Sequence, residues 1–235
     1  MKTRFFGGGC PRRMARLLFL FPVLGLTLCQ CQVKTRAAAP PSPHPYFPIE
    51  PGSAWTLQLT LWEYPSRFDS MPLVFAREEF FRIVSMEQEP EGWTIHTEPS
   101  VASLLFLGGF GLEQAELVQD AEGFWLREPA KKKGPGLLLL PASPSAGQTW
   151  SAPAPTGLEV QCRVLTLGEP FSAGPGIEVD DALGLEIVFA SEGQAERRVL
   201  WLGRGLGPLS LEAYAGSRLT DRWQRTDFNP FIRQP

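Results

Sequence analysis

Beyond its first 45 residues, the chain alternates apolar and polar residues between turn-forming residues, and no segment keeps a helical period over three turns. From Trp55 to Leu61 the odd positions are apolar, whereas positions 56, 58 and 60 are polar. A period of two is typical of a strand with one buried face. The 235 residues include 23 glycines and 23 prolines, which favours many turns and short strands. We therefore predict a mainly β fold with little helix outside the N-terminal leader.

The same pattern places the individual strands. They are expected at residues 55–61, 74–86, 93–97, 115–119, 124–127, 137–140, 158–167, 183–190 and 196–202, with a last one after residue 207. The first three are expected to form an antiparallel meander. Residues 170–176 are interpreted as a loop, and the mostly polar residues 217–224 follow the last expected strand. Strict alternation in the second strand puts Met86 on the face opposite Phe81 and Ile83.

Residues 1–28 have the pattern of an export signal. They hold five basic residues, no acidic residue and an apolar run from Leu17 to Leu28. A bilayer-spanning helix needs about 20 apolar residues, so this run is short for one. A basic stretch before a short apolar run predicts a signal peptide, with Met1 or Met14 as the start.

Two cysteines follow the apolar run, in Leu28-Cys29-Gln30-Cys31. This arrangement resembles a bacterial lipoprotein signal, in which the cysteine is acylated and becomes the mature N-terminus. The resemblance implies lipidation at Cys29, with Cys31 as the alternative, although neither follows the small residue usual in that signal. The other interpretations are a conventional signal peptide, cleavage after Ala39, an uncleaved anchor, and a cytosolic chain with a buried apolar helix.

The rest of the chain divides into a tether and a domain. Residues 29–45 are interpreted as a Pro/Ala-rich tether in extended form. Residues 46–235 are predicted to form a single β domain, with an internal duplication of 46–140 and 141–216 as a further hypothesis. Without the five basic residues of the leader, 17 Lys and Arg remain against 25 Asp and Glu, a net charge of −8. Such a domain does not attract a polyphosphate, so no nucleic-acid partner is expected.

Three motifs in the domain resemble those of known families. The opening Tyr46-x-Pro48-Ile49-x-x-Gly52-x-x-Trp55 resembles Tyr-x-Pro-Leu-x-x-Gly-x-x-Trp-x-Tyr of bacterial exported proteins and lipoproteins of unknown function. A second Gly-x-x-Trp at 147–150 and the segment 201–207, Trp-x-Gly-x-Gly-x-Gly, follow in the same order as in those families. Leu57 departs from the pattern, and residues 172–174 match another family motif only loosely. The resemblance covers residues 46–215 and implies a curved antiparallel sheet, an open barrel or a half-barrel; it brings no catalytic residues.

Cysteine and histidine supply little chemistry outside the leader. Cys162 is the only cysteine after residue 31, so no internal disulfide is expected. Its neighbours predict a packed thiol on a strand face. His44, in the tether, and His96 are expected to be surface or edge histidines. A zinc site needs several converging ligands, so no metal or cofactor is expected.

Other charged and glycine-rich segments are given structural interpretations. Asp180 and Asp181 are expected in a solvated turn, because adjacent strand residues point to opposite faces and calcium needs more oxygen ligands than Glu178 adds. The glycines of 203–207 do not have dinucleotide-fingerprint spacing and are expected to form a turn with positive φ. The lysines of 131–133 are expected at a solvated loop tip.

The aromatic residues carry the one binding hypothesis. Core packing is their default role. The alternative is a cleft in the curved sheet that binds an acyl chain or another apolar ligand. The residues predicted to line it are Trp55, Trp93, Trp125, Trp150 and Trp201.

The sequence therefore predicts a non-catalytic, exported envelope lipoprotein, anchored to a membrane by its acyl group and with a lipid or an envelope protein as its partner. One alternative is a hydrolase whose carboxylates, such as Glu78, Glu79 or Asp180, meet only in the fold. Another is an architectural module that recruits an envelope protein.

Overall fold

The computed structural model describes residues 44–48, 50–65, 71–90, 92–107, 112, 114–127, 136–153, 159–174, 177–191 and 194–227. All of them belong to one compact unit, Ala39–Pro235. The predicted signal peptide, both candidate lipidation sites, Ala39 and the lysines of 131–133 lie outside the described residues, as does the tether up to residue 43.

Twelve strands and one short helix make up the described part of the chain. The strands are β1 Ala54–Glu63, β2 Leu73–Glu89, β3 Gly92–Glu98, β4 Glu116–Gln119, β5 Gly123–Arg127, β6 Leu137–Pro141, β7 Thr149–Pro153, β8 Glu159–Gly174, β9 Ile177–Ser191, β10 Gln194–Gly203, β11 Gly207–Ala215 and β12 Arg218–Arg225; the helix is α1 Val101–Leu104. The strands form one sheet in the order β6-β5-β4-β3-β2-β1-β12-β11-β10-β9-β8-β7, and each neighbouring pair is antiparallel. The prediction of a mainly β, open antiparallel sheet is confirmed.

The connectivity is a meander whose first and last strands pair. β1 lies between β2 and β12, with Leu59 opposite Trp223 in the ladder. The ends of the sheet, β6 and β7, do not pair as strands. They are nevertheless close, because the Trp150 indole N–H donates to the Leu138 carbonyl at 2.7 Å. The sheet is therefore strongly curved without closing through a backbone ladder.

The curved sheet encloses one main core. The inward side chains of the alternating strands, including Leu57, Phe124 and Leu185, belong to a single buried cluster. A smaller cluster forms around Val179 and Leu209. Part of the interior retains a void of only about 20 Å³, lined by apolar side chains.

A bulge in β2 changes the expected alternation. The β2–β3 register shifts between Ile83 and Ser85, so that Met86 pairs with Ile95. An extra residue in one strand reverses the faces of the residues that follow. Met86 therefore packs against the main core, on the side of Phe81 and Ile83. The prediction that Met86 lies on the opposite face was wrong for this reason.

Two segments differ from the expected strand pattern. Residues 217–224, expected after the last strand, supply most of β12, which completes the centre of the sheet. Residues 170–174, expected in a loop, continue β8, whose ladder with β9 reaches Gly174 through several register shifts. The β8–β9 hairpin is therefore much longer than the sequence pattern indicated.

The expected glycine turn between β10 and β11 is confirmed. Gly205 and Gly207 have φ angles of 70° and 76°, a region that glycine adopts without the steric cost of a side chain. Gly205 N–H donates to Pro45 O at 2.7 Å, and the Trp55 indole N–H donates to Leu206 O at 3.0 Å. The opening motif and the glycine motif therefore meet in the fold, although Trp55 and Leu206 are 151 positions apart in sequence.

Candidate binding cleft

A cleft of about 350 Å³ lies beside the central strands of the sheet. The residues that line it come from β1, β2, α1 with its flanking residues, and β12, and most of them are apolar. They are Leu57, Leu59, Leu61, Arg77, Glu79, Phe81, Pro99, Ser103, Leu104, Phe106, Asp221 and Trp223. We refer to this set as the apolar cleft.

The floor of the apolar cleft follows from strand alternation and register. Every second residue of this part of β1 is a leucine, at positions 57, 59 and 61, so the three side chains share one face. Leu59 lies opposite Arg77 in β2 and Trp223 in β12. Residues opposite each other in a ladder project on the same side, which brings three strands into one surface.

The wall of the cleft is the segment around α1. Ser100 caps this short helix, because its hydroxyl oxygen accepts from the Ser103 backbone N–H at 3.2 Å. The Trp223 indole N–H donates to the Leu104 carbonyl at 2.7 Å. This bond satisfies both a buried indole donor and a carbonyl at the end of the helix. It fixes the wall to the floor.

Phe106 holds an unusual backbone conformation at the same wall. Its φ is 52°, in the left-handed region that non-glycine residues seldom adopt. Its carbonyl accepts from Nη2 of Arg198 at 2.9 Å, and the same nitrogen lies 3.0 Å from Glu196 Oε2. The Arg198 residue is only 4% exposed. This partly buried, charge-assisted bond stabilises the backbone conformation of Phe106, whose side chain lines the cleft.

The charged residues of the cleft stand at its rim. Arg77 Nη2 and Glu79 Oε1 form an ion pair at 2.8 Å, with the two side chains 66% and 36% exposed. Asp221 lies at the far corner, opposite Leu61, whereas Glu79 lies opposite Leu57. Two strand spacings, and four residues along the strands, separate Glu79 from Asp221 in the sheet.

The five predicted lining tryptophans do not line this cleft, and they occupy several different environments. Trp55 is buried in the main core, with its ring stacked on Phe81. Trp201 belongs to the smaller cluster and stacks on Phe171, with ring centroids 4.0 Å apart. Trp93 and Trp125 are half-buried in β3 and β5, and Trp150 lies at the β6–β7 junction. The tryptophan of the apolar cleft is Trp223, which the sequence analysis did not select.

The carboxylates proposed for a hydrolase are also dispersed. Glu78 is exposed on the face of β2 opposite Glu79. Asp180 and Asp181 lie within β9, so the prediction of a solvated turn was wrong. Asp180 is exposed, whereas Asp181 accepts from the Tyr46 hydroxyl at 2.6 Å. The apolar cleft contains Glu79 but not Asp180.

Tyr46, Asp181 and Arg204 form the main cluster of perturbed ionisable groups among the described residues. Arg204 donates from Nε to Asp181 and from Nη2 to the Tyr46 hydroxyl oxygen at 3.2 Å. The hydrogen bond from Tyr46, followed by that from Arg204, lowers the pKa of Asp181, although partial burial opposes this. Burial, followed by the bond to Asp181, raises the pKa of Tyr46. The cluster fastens the start of the domain to β9 and the β10–β11 turn, a structural role.

His44 is buried, at 5% exposure, so the expectation of a surface or edge histidine was wrong for it. Its Nδ1 accepts from the Tyr46 backbone N–H at 3.2 Å, and its Nε2 lies 3.1 Å from Pro141 O. These partners require the neutral tautomer with the proton on Nε2. Burial lowers the pKa of His44, and the bond to Pro141 opposes the shift.

Acidification should therefore destabilise the fold through His44. The unfolded state takes up a proton below about pH 6.5, whereas the folded state resists it until a lower pH. The free energy of unfolding should fall between about pH 7.5 and pH 5.5, by up to roughly 1.4 kcal/mol per pH unit for this group. Urea unfolding at several pH values in this range measures the change in the free energy of unfolding. His44→Asn should flatten the slope, and an unchanged slope in that variant would contradict the assignment.

The remaining candidates have structural surroundings. Burial raises the pKa of Cys162 to about 12, and its thiol lies 4.0 Å from Leu138 O, which confirms the packed thiol. His96 is partly exposed, 3.4 Å from Glu87. The described residues hold no group of three or more His, Cys, Asp or Glu side chains arranged for a metal ion. Nor do they contain a helix with the length and apolar content needed to cross a membrane.

Comparison with known proteins adds little. No family model matches this chain, and no curated protein matches it. One similar solved structure is a "putative lipoprotein" from Parabacteroides distasonis ATCC 8503, with a TM-score of 0.35, 10% identity and coverage of 78% of this chain and 98% of that chain. Another is a "putative exported protein with YmcC-like fold" from Bacteroides fragilis NCTC 9343, with a TM-score of 0.34, 11% identity and coverage of 77% and 96%. At these TM-scores, neither likeness transfers a function to this chain.

Proposed function

We propose that this protein is a non-catalytic, exported lipoprotein of the bacterial envelope, and that its apolar cleft holds an acyl chain or another apolar segment. The observation that carries the proposal is the cleft itself. Its volume of about 350 Å³ falls at the lower end of small-ligand sites, which span roughly 300–1,000 Å³. Its floor is built from leucines, Phe81 and Trp223, with charges confined to the rim.

The distribution of charge supports binding over catalysis. Burial of apolar ligand surface against this floor contributes about 25 cal/mol per Å². Hydrolysis would instead require an activated nucleophile, or two ionisable groups that can act on one bond. Glu79 is paired with Arg77, and Asp221 stands at the opposite corner of the cleft. These side chains suit the recognition of a polar head group at the rim.

Anchoring is proposed from the leader sequence. Cys29 directly follows the apolar run that ends at Leu28, and Cys31 lies two residues further on. A single acyl chain gives weak, reversible attachment, whereas two or more chains hold a protein stably at a membrane. Attachment at Cys29 would leave residues 30–43 as an extended spacer, with a reach of at most about 3.3–3.6 Å per residue, before the Tyr46 cluster fastens the chain to the sheet.

Binding can be tested by titrating the full-length protein in detergent with a fluorescent fatty acid. Leu61→Arg places a long charged side chain on the partly buried floor, opposite Asp221, where it occupies volume that an apolar ligand would fill. We expect this variant to bind at least about tenfold more weakly, since burial of an apolar ligand against a charged pair costs more than the roughly 1.4 kcal/mol of one decade. Met71→Arg, at a residue 83% exposed and outside the cleft, is the matched control. No binding by the wild type, or equal affinity in Leu61→Arg, would exclude the ligand role.

Anchoring requires a separate measurement. The intact mass of membrane-extracted protein reports the cleavage site and the number of acyl groups at once. We expect cleavage before Cys29 and a mass increase that Cys29→Ser removes. If Cys31→Ser removes the increase instead, Cys31 is the lipidation site; if neither variant does, the protein is not a lipoprotein.

A further inference from the structure

Half of β2 forms an open edge of the sheet. β2 pairs with β1 over Leu73–Arg82, but its ladder with β3 begins only at Arg82, opposite Glu98. After Glu98 the chain leaves the sheet to form α1. No described strand therefore pairs with residues 73–81 on the side away from β1. We refer to this segment as the open β2 edge.

The backbone of the open β2 edge has N–H and C=O groups that point away from β1, where another strand could bond to them. Ile83 directs both backbone groups to the β1 side, since its N–H donates to Ser53 O and its carbonyl accepts from Gly52 N–H. In an antiparallel ladder these directions alternate along the strand, and the β1–β2 register has no shift. Residues 74, 76, 78 and 80 therefore direct their N–H and C=O groups outwards, in line with Arg82 at the β3 ladder.

The side chains of this edge protect it only in part. Natural edge strands are shielded by charged side chains, by proline, by bulges or by short length, and this edge has the charges Arg77, Glu78 and Glu79 but none of the other three. Here Leu73, Val74, Phe75 and Phe80 are each at least 50% exposed. Exposed apolar residues on both faces beside unpaired backbone groups mark a surface that another strand covers.

Of the two-fold registers centred on Ala76, Arg77 and Glu78, only the one centred on Ala76 places no like charges opposite each other. If Glu78 faced Glu78 of the second copy, like charges would oppose each other and Val74 would meet Arg82, which β3 already covers. If Arg77 faced Arg77, two cations would be adjacent. With Ala76 facing Ala76, Phe75 lies opposite Arg77 and Val74 lies opposite Glu78, so no like charges meet. This register also places a guanidinium beside an aromatic ring.

We propose that two copies of this chain associate through the open β2 edge, antiparallel and with Ala76 at the two-fold axis. The interface is isologous, as in most homodimers, and it joins two twelve-stranded sheets into one. The edge shares Arg77, Glu79 and Phe81 with the lining of the apolar cleft, but the dimer does not require the cleft to hold a ligand.

A proline substitution tests the backbone pairing. Ala76→Pro removes an outward N–H and leaves the β1 ladder intact, because residue 76 does not bond to β1 in this register. Sedimentation of the full-length protein in detergent should show a dimer for the wild type and a monomer for Ala76→Pro. The urea midpoint of Ala76→Pro should show that the variant is folded. A wild-type monomer at all concentrations, or a folded Ala76→Pro that still dimerises, would overturn the proposal.

Cysteine cross-linking tests the register in cells that express the full chain. Cysteines on opposite strands at the axis have Cα atoms about 5.5 Å apart, which suits a disulfide. Under mild oxidation Ala76→Cys should give at least about tenfold more covalent dimer than Glu169→Cys, an exposed site on β8. Greater cross-linking by Arg77→Cys or Glu78→Cys would overturn the proposed register, and equal yields from Ala76→Cys and Glu169→Cys would overturn the interface.

Discussion

Replacement of Trp223 by alanine should lower the free energy of unfolding by about 3–5 kcal/mol, the range for truncation of a large buried aromatic residue. Trp223 is only 2% exposed and stands at the centre of the sheet, opposite Leu59. Its loss opens a void between β12 and α1 and leaves the Leu104 carbonyl without its indole donor. The midpoint and slope of urea unfolding measure the change.

Two further variants separate the contributions of Trp223. Trp223→Phe retains a ring but removes the bond to Leu104 O, so it should cost about 1–3 kcal/mol. Trp125→Ala, at a half-buried residue whose indole bonds to Asp120, should cost less than Trp223→Ala. If Trp223→Ala lowered the free energy of unfolding no more than Trp125→Ala, Trp223 would not be tightly packed in the floor of the apolar cleft.

The strand pattern of β1 was predictable because local and tertiary requirements coincide there. Leu57 and Leu59 face the core, Gln58 is exposed, and Gly52 provides the turn before the strand. The β4–β5 turn was predictable for a similar reason, since Asp120 accepts from the Glu122 backbone N–H at 2.8 Å within the turn itself. Such features depend on residues that are neighbours in sequence.

β12 was not predictable from alternation, because its partners compensate for its polarity. Of its eight residues only Trp223 is buried, and the others are half-buried. Arg222 bonds to Glu212 of the neighbouring strand at 2.5 Å, so a charged residue is accommodated inside the sheet. Strand identity at the centre of the sheet is here determined by cross-strand pairs rather than by a period of two.

The apolar cleft depends on contacts that a single sequence does not display. It requires the pairing of β1 with β12, where Leu59 lies opposite Trp223. It also requires the hydrogen bond from the Trp223 indole to the carbonyl of Leu104, which is 119 positions away in sequence. Its wall also requires Arg198 to hold the Phe106 carbonyl, 92 positions away. The tryptophans are spread over several strands, and their positions in the sequence do not tell which of them share a face.

Gly123→Ala should be strongly destabilising. Gly123 has a φ of 144°, and a Cβ there would lie 2.1 Å from Leu140 O and 2.9 Å from Ala142 N. Both neighbours are backbone atoms of β6 and its following turn, so no side-chain rotation relieves the clash. We expect a loss of more than about 3 kcal/mol, a size usually tied to overpacking or to backbone strain. Urea unfolding of the purified variant measures it.

Gly147→Ala provides the matched control, because Gly147 also has a positive φ, of 74°, but nothing lies within 4 Å of the added Cβ. It should cost only about 1–2 kcal/mol, the penalty of the left-handed conformation for an alanine. The difference between the two variants therefore reports the close approach of β5 and β6 together with the greater strain of an alanine at a φ of 144°. Equal losses would mean that the β5–β6 contact can shift to accept a methyl group. In that case the end of the sheet beside His44 and Phe124 would be more loosely packed than its burial indicates.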